Sequence, residues 1–353
     1  MSEALTESPT GRMPATTAKA ARPQWRAPFA GLAIAALLLA GVEAFLHTDY
    51  FLYRYRSVFA AGRAMDKLLA LEAKPKTAIA LGNSRVDNGF HPDILQQQTG
   101  LEAFNLGLPG AEACNMEGVV ARLAARDGFG QGRIERVFFG LDESFLQRTG
   151  GLGYEVFFDK PARLLNHGRY TDWLRSRIRL WGYTDSFRTL QEPAKLIRFI
   201  EASFSEIDSW GGSARQTNGF RAADEVTNQD AAQVDRQNRN TRHPPPAPEV
   251  LECFWATIEQ LQARNVAVNV FLTPSLRGAN PFSGEAGGPD SPYSRIKDEL
   301  VARGVTTLEF DVSDLMAGQF FANPGHLNRA GAVQFTSRLA AALKSTTESG
   351  SAD

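Results

Sequence analysis

Residues 77–85 read TAIALGNSR. A short apolar run followed at once by a glycine is typical of a buried β-strand that ends in a tight turn. The serine after the turn would then stand at the carboxyl end of the strand, where a helix begins. In parallel α/β sheets ligands bind beyond the carboxyl ends of the strands. The stretch therefore predicts a central strand and a ligand-binding or catalytic site at its carboxyl end.

The rest of the chain continues the alternation of strands and helices. Further apolar runs lie at 103–106, 136–141, 266–272 and 306–310, and helical patterns lie at 114–126, 248–263, 291–303 and 330–344. This alternation predicts an α/β fold, a three-layer sandwich with a central, mostly parallel five-stranded sheet and helices on both faces. A Rossmann-type nucleotide-binding domain fits the alternation too. The first strand, however, is not followed by a Gly-x-Gly-x-x-Gly turn, so that reading is discounted.

Several segments lie outside this pattern. Residues 151–247 contain helical segments followed by a polar stretch, and we interpret them as a helical insertion in a domain that spans 77–345. Residues 1–26 and 346–353 are rich in small and polar residues, which predicts disordered tails. Residues 50–73 place aromatic, aliphatic and basic residues at helical spacing, which predicts a juxtamembrane helix.

The segment 27–46 reads APFAGLAIAALLLAGVEAFL and contains Glu43 as its only charge. A helix of about 20 such residues spans about 30 Å, the thickness of a bilayer's hydrocarbon core. A transmembrane signal anchor is the favoured interpretation; a buried soluble helix and a cleaved signal peptide are the alternatives. Basic residues flank both ends, so charge does not fix the orientation. We expect a single pass through the inner (cytoplasmic) membrane and an extracytoplasmic, periplasmic domain.

Composition narrows the classes of function. The chain has 38 basic and 39 acidic residues, which argues against a nucleic-acid partner. Cys114 and Cys253 are too few for a disulfide scaffold and fit no zinc motif. We expect two isolated core cysteines; a single disulfide is the alternative, provided that the domain lies outside the cytoplasm. No metal cluster is visible, and no cofactor is expected.

Two residues stand out as candidates for nucleophilic catalysis. Ser84 follows the first strand, and His326 lies after the last predicted strand, where a loop could reach it. A serine hydroxyl needs a base to take its proton, and histidine is the usual one. Each residue alone has an ordinary explanation, Ser84 as a helix cap and His326 as a structural histidine. Their order along the alternation favours the catalytic reading.

Three motifs resemble the blocks of SGNH (GDSL-like) hydrolases and acyltransferases. LGNSRVDNGFHPDIL at 81–95 resembles the serine block, FNLGLPG at 104–110 the glycine block, and FANPGHLNRAGA at 321–332 the closing block. The membrane-anchored arrangement resembles the alginate O-acetylation proteins and the D-alanyl transfer protein of teichoic acid. The resemblance implies an SGNH (flavodoxin-like) fold, with the insertion not covered.

By position, the resemblance implies roles for individual residues. Ser84 would be the nucleophile and His326 the general base, and the N–H groups of Ser84 and Gly107 would form the oxyanion hole. Two departures matter: Asn323 stands where the family usually has Asp, and Asp142 stands where its third block offers Asn. An ionised carboxylate only accepts hydrogen bonds, so Asp142 cannot be an oxyanion donor. Further candidates for support of the site are Arg85, Asn105, Asp142 and Asp311.

Two functional hypotheses follow from these expectations. The first is a membrane-anchored serine esterase or O-acyltransferase that acts on envelope or exported polysaccharide through an acyl-serine intermediate. The second is a catalytically degenerate glycan-binding or assembly factor of a membrane acyl-transfer or export machine. The expected partners are an acylated glycan, the membrane and a polytopic membrane acyltransferase.

Overall fold

The computed structural model describes residues 26–150, 152–209, 212–228, 233, 236, 244–276, 282 and 292–350. The predicted tail over 1–26 lies outside the described residues except for Arg26, and so do residues 351–353. The chain divides into two units, Met1–Ala44 and Phe45–Asp353.

The first helix, α1 (Arg26–Leu46), contains the apolar segment. Its part Pro28–Leu46 has a mean hydropathy of 2.2 and is long and apolar enough to cross a membrane, by length and composition. Its apolar side chains are largely exposed, as with Leu37 at 72%. Among the described residues this helix alone meets these criteria.

The central sheet has five strands, all parallel, as the alternation predicted. They are β1 (Ala78–Leu81), β2 (Ala103–Asn105), β3 (Arg136–Leu141), β4 (Ala267–Leu272) and β5 (Thr306–Leu308), in the order β2-β1-β3-β4-β5. In doubly wound sheets of this order the ligand crevice lies where the order reverses, between β1 and β3. The residues after these two strands, which include Ser84 and Asp142, therefore share one edge of the sheet.

The helices of the second unit fall into three groups along the chain. Before the sheet come α2 (Asp49–Arg54) and α3 (Ala60–Ala73). Those of the alternation are α4 (Ser84–Gly89), α5 (Pro92–Thr99), α6 (Ala113–Ala124), α13 (Pro248–Gln262), α14 (Pro292–Ala302) and α15 (Arg329–Gly350). The insertion contributes α7 (Tyr154–Phe157), α8 (Pro161–Asn166), α9 (Tyr170–Arg177), α10 (Arg179–Gly182), α11 (Thr184–Arg188) and α12 (Pro193–Phe204). Helix α15 continues to Gly350, so it extends past 346, where a disordered tail was expected.

Two apolar cores lie on opposite faces of the sheet. Alternate side chains of β1 enter different cores: Ile79 and Leu81 belong to one, Ala78 and Ala80 to the other. Helices α3, α6 and α13 contribute to the first core, and α5 and α15 to the second. The sheet is therefore covered on both faces, which explains why its strands read as continuous apolar runs.

The segment 50–73 differs from the expected single juxtamembrane helix. It forms two helices, α2 and α3, and most of α3 is buried, including Met65 and Leu68. Its charged residues Arg63 and Lys67 are buried as well. They can be buried because carboxylates pair with them: Asp66 of the same helix with Arg63, and Asp87 of α4 with Lys67.

Cys114 in α6 and Cys253 in α13 form a disulfide, with their Cα atoms 4.9 Å apart. The expectation of two isolated core cysteines is therefore wrong. Helices α6 and α13 pack beside each other on the same face of the sheet. This packing brings two cysteines that are 139 positions apart into the range of a disulfide.

Candidate functional site

Ser84 is the first residue of α4, directly after the turn that ends β1. Asn83 caps the helix, because its side-chain oxygen accepts a hydrogen bond of 2.9 Å from the N–H of Arg85. Gly82 has a φ of +155°, and a Cβ there would lie 2.4 Å from Cγ2 of Val86, so the turn requires glycine. Ser84 is half-buried, whereas its neighbours in the turn and the helix are buried.

His326 reaches Ser84 from a two-stranded hairpin made of β6 (Phe321–Asn323) and β7 (His326–Leu327). Pro324 and Gly325 form its turn, and Asn323 and His326 stand opposite each other. The hairpin immediately precedes α15, which packs against α4. This packing brings together two residues that are 242 positions apart.

Nε2 of His326 lies 2.7 Å from Oγ of Ser84, and Nδ1 lies 2.8 Å from Oδ1 of Asn323. The N–H of Gly325 also donates to that Asn323 atom, at 3.0 Å. Since a backbone N–H can only donate, the atom must be the amide oxygen, which only accepts. Nδ1 of His326 therefore carries the proton. In the neutral ring, Nε2 then has a lone pair that accepts the hydrogen bond of the Ser84 hydroxyl.

The arrangement is a Ser-His-Asn triad in its geometry. A serine hydroxyl directed at a neutral imidazole nitrogen can lose its proton while the oxygen attacks an acyl carbon. Asn323 fixes the tautomer and the orientation of the ring, but it has no charge with which to stabilise the imidazolium. The site is therefore equipped for acyl transfer, with less electrostatic support than a carboxylate would give.

Comparison with known proteins leaves the family open. The chain matches no family model, and no curated protein or solved structure matches it. What the site can do is therefore argued from its geometry.

Asp142 and Asp311 each accept hydrogen bonds from residues near them in the chain or in the fold. Asp142 is buried and accepts hydrogen bonds from Nδ2 of Asn83 at 2.8 and 3.0 Å and from the N–H of Ser144 at 2.8 Å. Asp311 is exposed and accepts from the N–H and the hydroxyl of Ser313. Oδ1 of Asn323 lies 2.8 Å from Nδ1 of His326. Asp142 orients Asn83, which caps α4.

The Arg85 guanidinium forms a bidentate ion pair with Glu143, at 2.6 and 3.1 Å. Arg85 is 8% exposed, and Asp142 lies 3.8 Å from it. The pKa of Arg85 is raised: burial alone would lower it, but Asp142 and Glu143 outweigh that effect. The side chain thus connects α4 to the loop after β3 through a salt bridge.

Gly107 lies against α4, since a Cβ there would be 2.4 Å from the backbone nitrogen of Asp87. Its N–H donates to Oδ1 of Asn105 at 2.8 Å. Asn105 in turn donates to the carbonyl groups of Val86 and Phe90, both at 2.7 Å. The oxyanion role expected of Gly107 stays a prediction. The amide of Ser84, at the first position of α4, belongs to those that have no intrahelical acceptor.

Sequence reasoning missed a buried charge cluster that packs against α4. Nζ of Lys67 lies 2.6 Å from Oδ1 of Asp87 and 2.5 Å from the carbonyl oxygen of Gly107. Arg63 and Arg221 lie 3.7 and 3.6 Å from the same carboxylate. A helical-wheel reading of α3 could have found Lys67, because it lies three residues after Ala64 and four before Leu71, on the apolar face.

The two members of this ion pair titrate differently. Burial lowers the pKa of Lys67 to about 7, because Asp87 alone opposes both burial and the nearby guanidinium groups. Burial would raise the pKa of Asp87, but Lys67, Arg63 and Arg221 together lower it. Asp87 therefore stays ionised and holds the buried cations of α3 against α4.

Proposed function

We propose that this chain is a membrane-anchored serine esterase or O-acyltransferase of the SGNH type. The observation that supports this most is the chain of contacts from Oγ of Ser84 to Nε2 of His326, and from Nδ1 to Asn323. The position of Ser84 after β1, where the strand order reverses, fits a ligand site. The proposed substrates are acylated glycans of the cell envelope or of exported polysaccharide, as for the proteins that the motifs resemble.

In the proposed reaction, Oγ of Ser84 forms a bond to the acyl carbon as its proton moves to Nε2 of His326. The N–H of Ser84, at the start of α4, supports the negative charge that develops on the acyl oxygen. The imidazolium then returns the proton to the leaving alcohol, and an acyl-serine remains. Water or a glycan hydroxyl then attacks the acyl carbon while His326 takes its proton. As the bond from that carbon to Oγ of Ser84 breaks, His326 returns the proton to Oγ, which restores the serine.

An extracytoplasmic location for the domain has independent support. The disulfide between Cys114 and Cys253 is of a kind that forms and persists in oxidising compartments. The apolar helix Pro28–Leu46 precedes the domain and has the length of a membrane span. Together they support an anchor in the inner membrane with the domain on its outer, periplasmic side, beside the glycans and a polytopic acyltransferase.

The test is the hydrolysis of p-nitrophenyl acetate and of an acetylated polysaccharide by the full chain in detergent micelles. We expect Ser84→Ala and His326→Gln each to lower the rate by a factor of roughly 10² to 10⁴. Mass spectrometry of the quenched reaction should find the acyl group on the peptide that contains Ser84. His167→Gln is the matched control, since His167 lies by Glu252 and outside the site.

The second candidate is a glycan-binding or assembly factor without catalysis. Two observations favour it: the N–H of Gly107 donates to Asn105, and the carboxylate oxygens of Asp142 accept hydrogen bonds from Asn83. A binding factor would keep its cellular role with Ser84→Ala, whereas an enzyme would lose it. If the folded full chain hydrolyses both substrates no faster than Ser84→Ala does, even with membranes that hold its acyl-transfer partner, the enzyme proposal is wrong.

A further inference from the structure

Helix α12 of the insertion packs through one face against the segment that follows the apolar helix. The ring of Phe199 stacks on Tyr55 with 4.4 Å between centroids, and the hydroxyl groups of Tyr55 and Ser203 lie 3.1 Å apart. Ala202 on the same face is fully buried. We call this face the inner face of α12.

A second apolar face of α12 is exposed. It consists of Leu196, Ile197, Ile200 and Phe204, which are 42%, 56%, 50% and 86% exposed. An α-helix turns about 100° per residue, so the four side chains fall within an arc of about 100°. We call them the outer face. Clustered apolar side chains of this kind on a globular surface mark a site of protein or membrane contact.

Chain connectivity keeps α12 near the membrane. The inner face packs on Tyr55, which comes only nine residues after Leu46, the end of the apolar helix. Nine residues reach at most about 30 Å when fully extended, and helix α2 shortens this path. Glu206, just beyond α12, adds a second attachment, as it accepts hydrogen bonds from the Tyr53 hydroxyl at 2.6 Å and from Arg56 at 3.0 Å.

Exposed basic side chains near α12 favour a lipid surface over other partners for the outer face. Arg198 on α12 and Arg177 on α9 are exposed and have no carboxylate partner among the described residues. Anionic lipid headgroups attract exposed basic side chains on the same part of the domain as an apolar helix face.

We infer that the outer face of α12 inserts into the headgroup region of an anionic bilayer, as a second membrane contact beside the N-terminal helix. A single helical anchor leaves the domain free to tilt and rotate, whereas a second contact fixes its height and orientation. The edge of the sheet that carries Ser84 is thereby held at a constant distance from the membrane. This inference needs α1 in the bilayer but is independent of the chemistry of Ser84.

The test uses the full chain in vesicles of equal parts phosphatidylcholine and phosphatidylglycerol, with an environment-sensitive fluorophore on an introduced cysteine. Ile197→Cys and Phe204→Cys report on the outer face. Val301→Cys in α14 is the matched control, because Val301 is an apolar residue 65% exposed elsewhere on the domain. We expect a blue shift and quenching by brominated lipids at 197 and 204 and neither at 301.

Two further measurements decide between occupants. Arg198→Glu and vesicles of phosphatidylcholine alone should each reduce the quenching at 204, since the attraction is to anionic headgroups. If labels at 197 and 204 behave like the label at 301 in pure lipid, the inference is overturned. If the labels at 197 and 204 are shielded from water in native membranes but not in pure lipid, the inference is likewise overturned. The outer face would then be assigned to contact with a membrane protein.

Discussion

The side-chain oxygen of Asn323 lies 2.8 Å from Nδ1 of His326, in the place of the carboxylate of a serine hydrolase triad. It supplies the hydrogen bond that orients the ring but no negative charge. A carboxylate in this place would also stabilise the imidazolium that forms in the transition state, which a neutral amide does less well. Catalysis by this chain, as proposed, is therefore expected to be slow.

Asn323→Asp should increase kcat/KM for p-nitrophenyl acetate at least about tenfold, because a carboxylate stabilises the imidazolium in the transition state. The acidic limb of the pH–rate profile should move to higher pH, because the added charge favours the protonated ring. Asn323→Ala, which lacks the acceptor, should fall below the natural protein. Equal rates for all three proteins would contradict a triad role for this position.

Lys67→Met should destabilise the fold by about 3 kcal/mol, because it leaves the buried carboxylate of Asp87 without its nearest cation. Urea unfolding measures the change, and Lys67→Met with Asp87→Asn should recover part of the loss. Lys297→Met, which removes an exposed ion pair with Glu309, is the control and should cost below about 1 kcal/mol. Similar losses for Lys67→Met and Lys297→Met would refute the importance of the buried pair.

Asp159 predicts a pH dependence of stability. Burial, with Glu112 beside it, raises the pKa of Asp159 from 3.8 to about 7. The folded state binds the proton of Asp159 more tightly than the unfolded state does. The stability that this proton contributes is therefore fully present below about pH 4 and is lost as the pH rises through about 7. The Asp159→Asn variant should not lose stability in this way. The difference in free energy of unfolding, variant minus natural protein, should therefore rise by a few kcal/mol between about pH 4 and pH 7. A flat difference curve would contradict the raised pKa.

The disulfide between Cys114 and Cys253 closes a separation of 139 residues. Replacement of both cysteines by serine should cost about 4 to 5 kcal/mol, chiefly by freeing the unfolded chain. Dithiothreitol should lower the Tm of the natural protein and leave that of the double variant unchanged. Free thiols in the denatured, unreduced protein purified from the cell envelope would contradict the bond.

Local sequence predicted much of the second unit because its strands are buried on both faces. The runs at 136–141 and 266–272 correspond to β3 and β4 within one residue, and the helices at 248–263 and 291–303 to α13 and α14 within one residue at each end. Local sequence could not predict that 50–73 forms two helices, α2 and α3, or that most of α3 is buried. Helical spacing places Lys67 on the apolar face of α3, but it does not identify its partner Asp87, which lies 20 residues further along the chain.

The sequence by itself determined the strands, the order of Ser84 and His326 along the alternation, and the apolar helix, because these follow from local periodicity and from residue chemistry. Only the tertiary structure decided which side chains meet. It paired Asn323 with His326 across a tight hairpin, directed Asp142 to Asn83, and joined two cysteines on neighbouring helices. Contacts between distant segments are set by how the layers pack, and no local pattern encodes that packing.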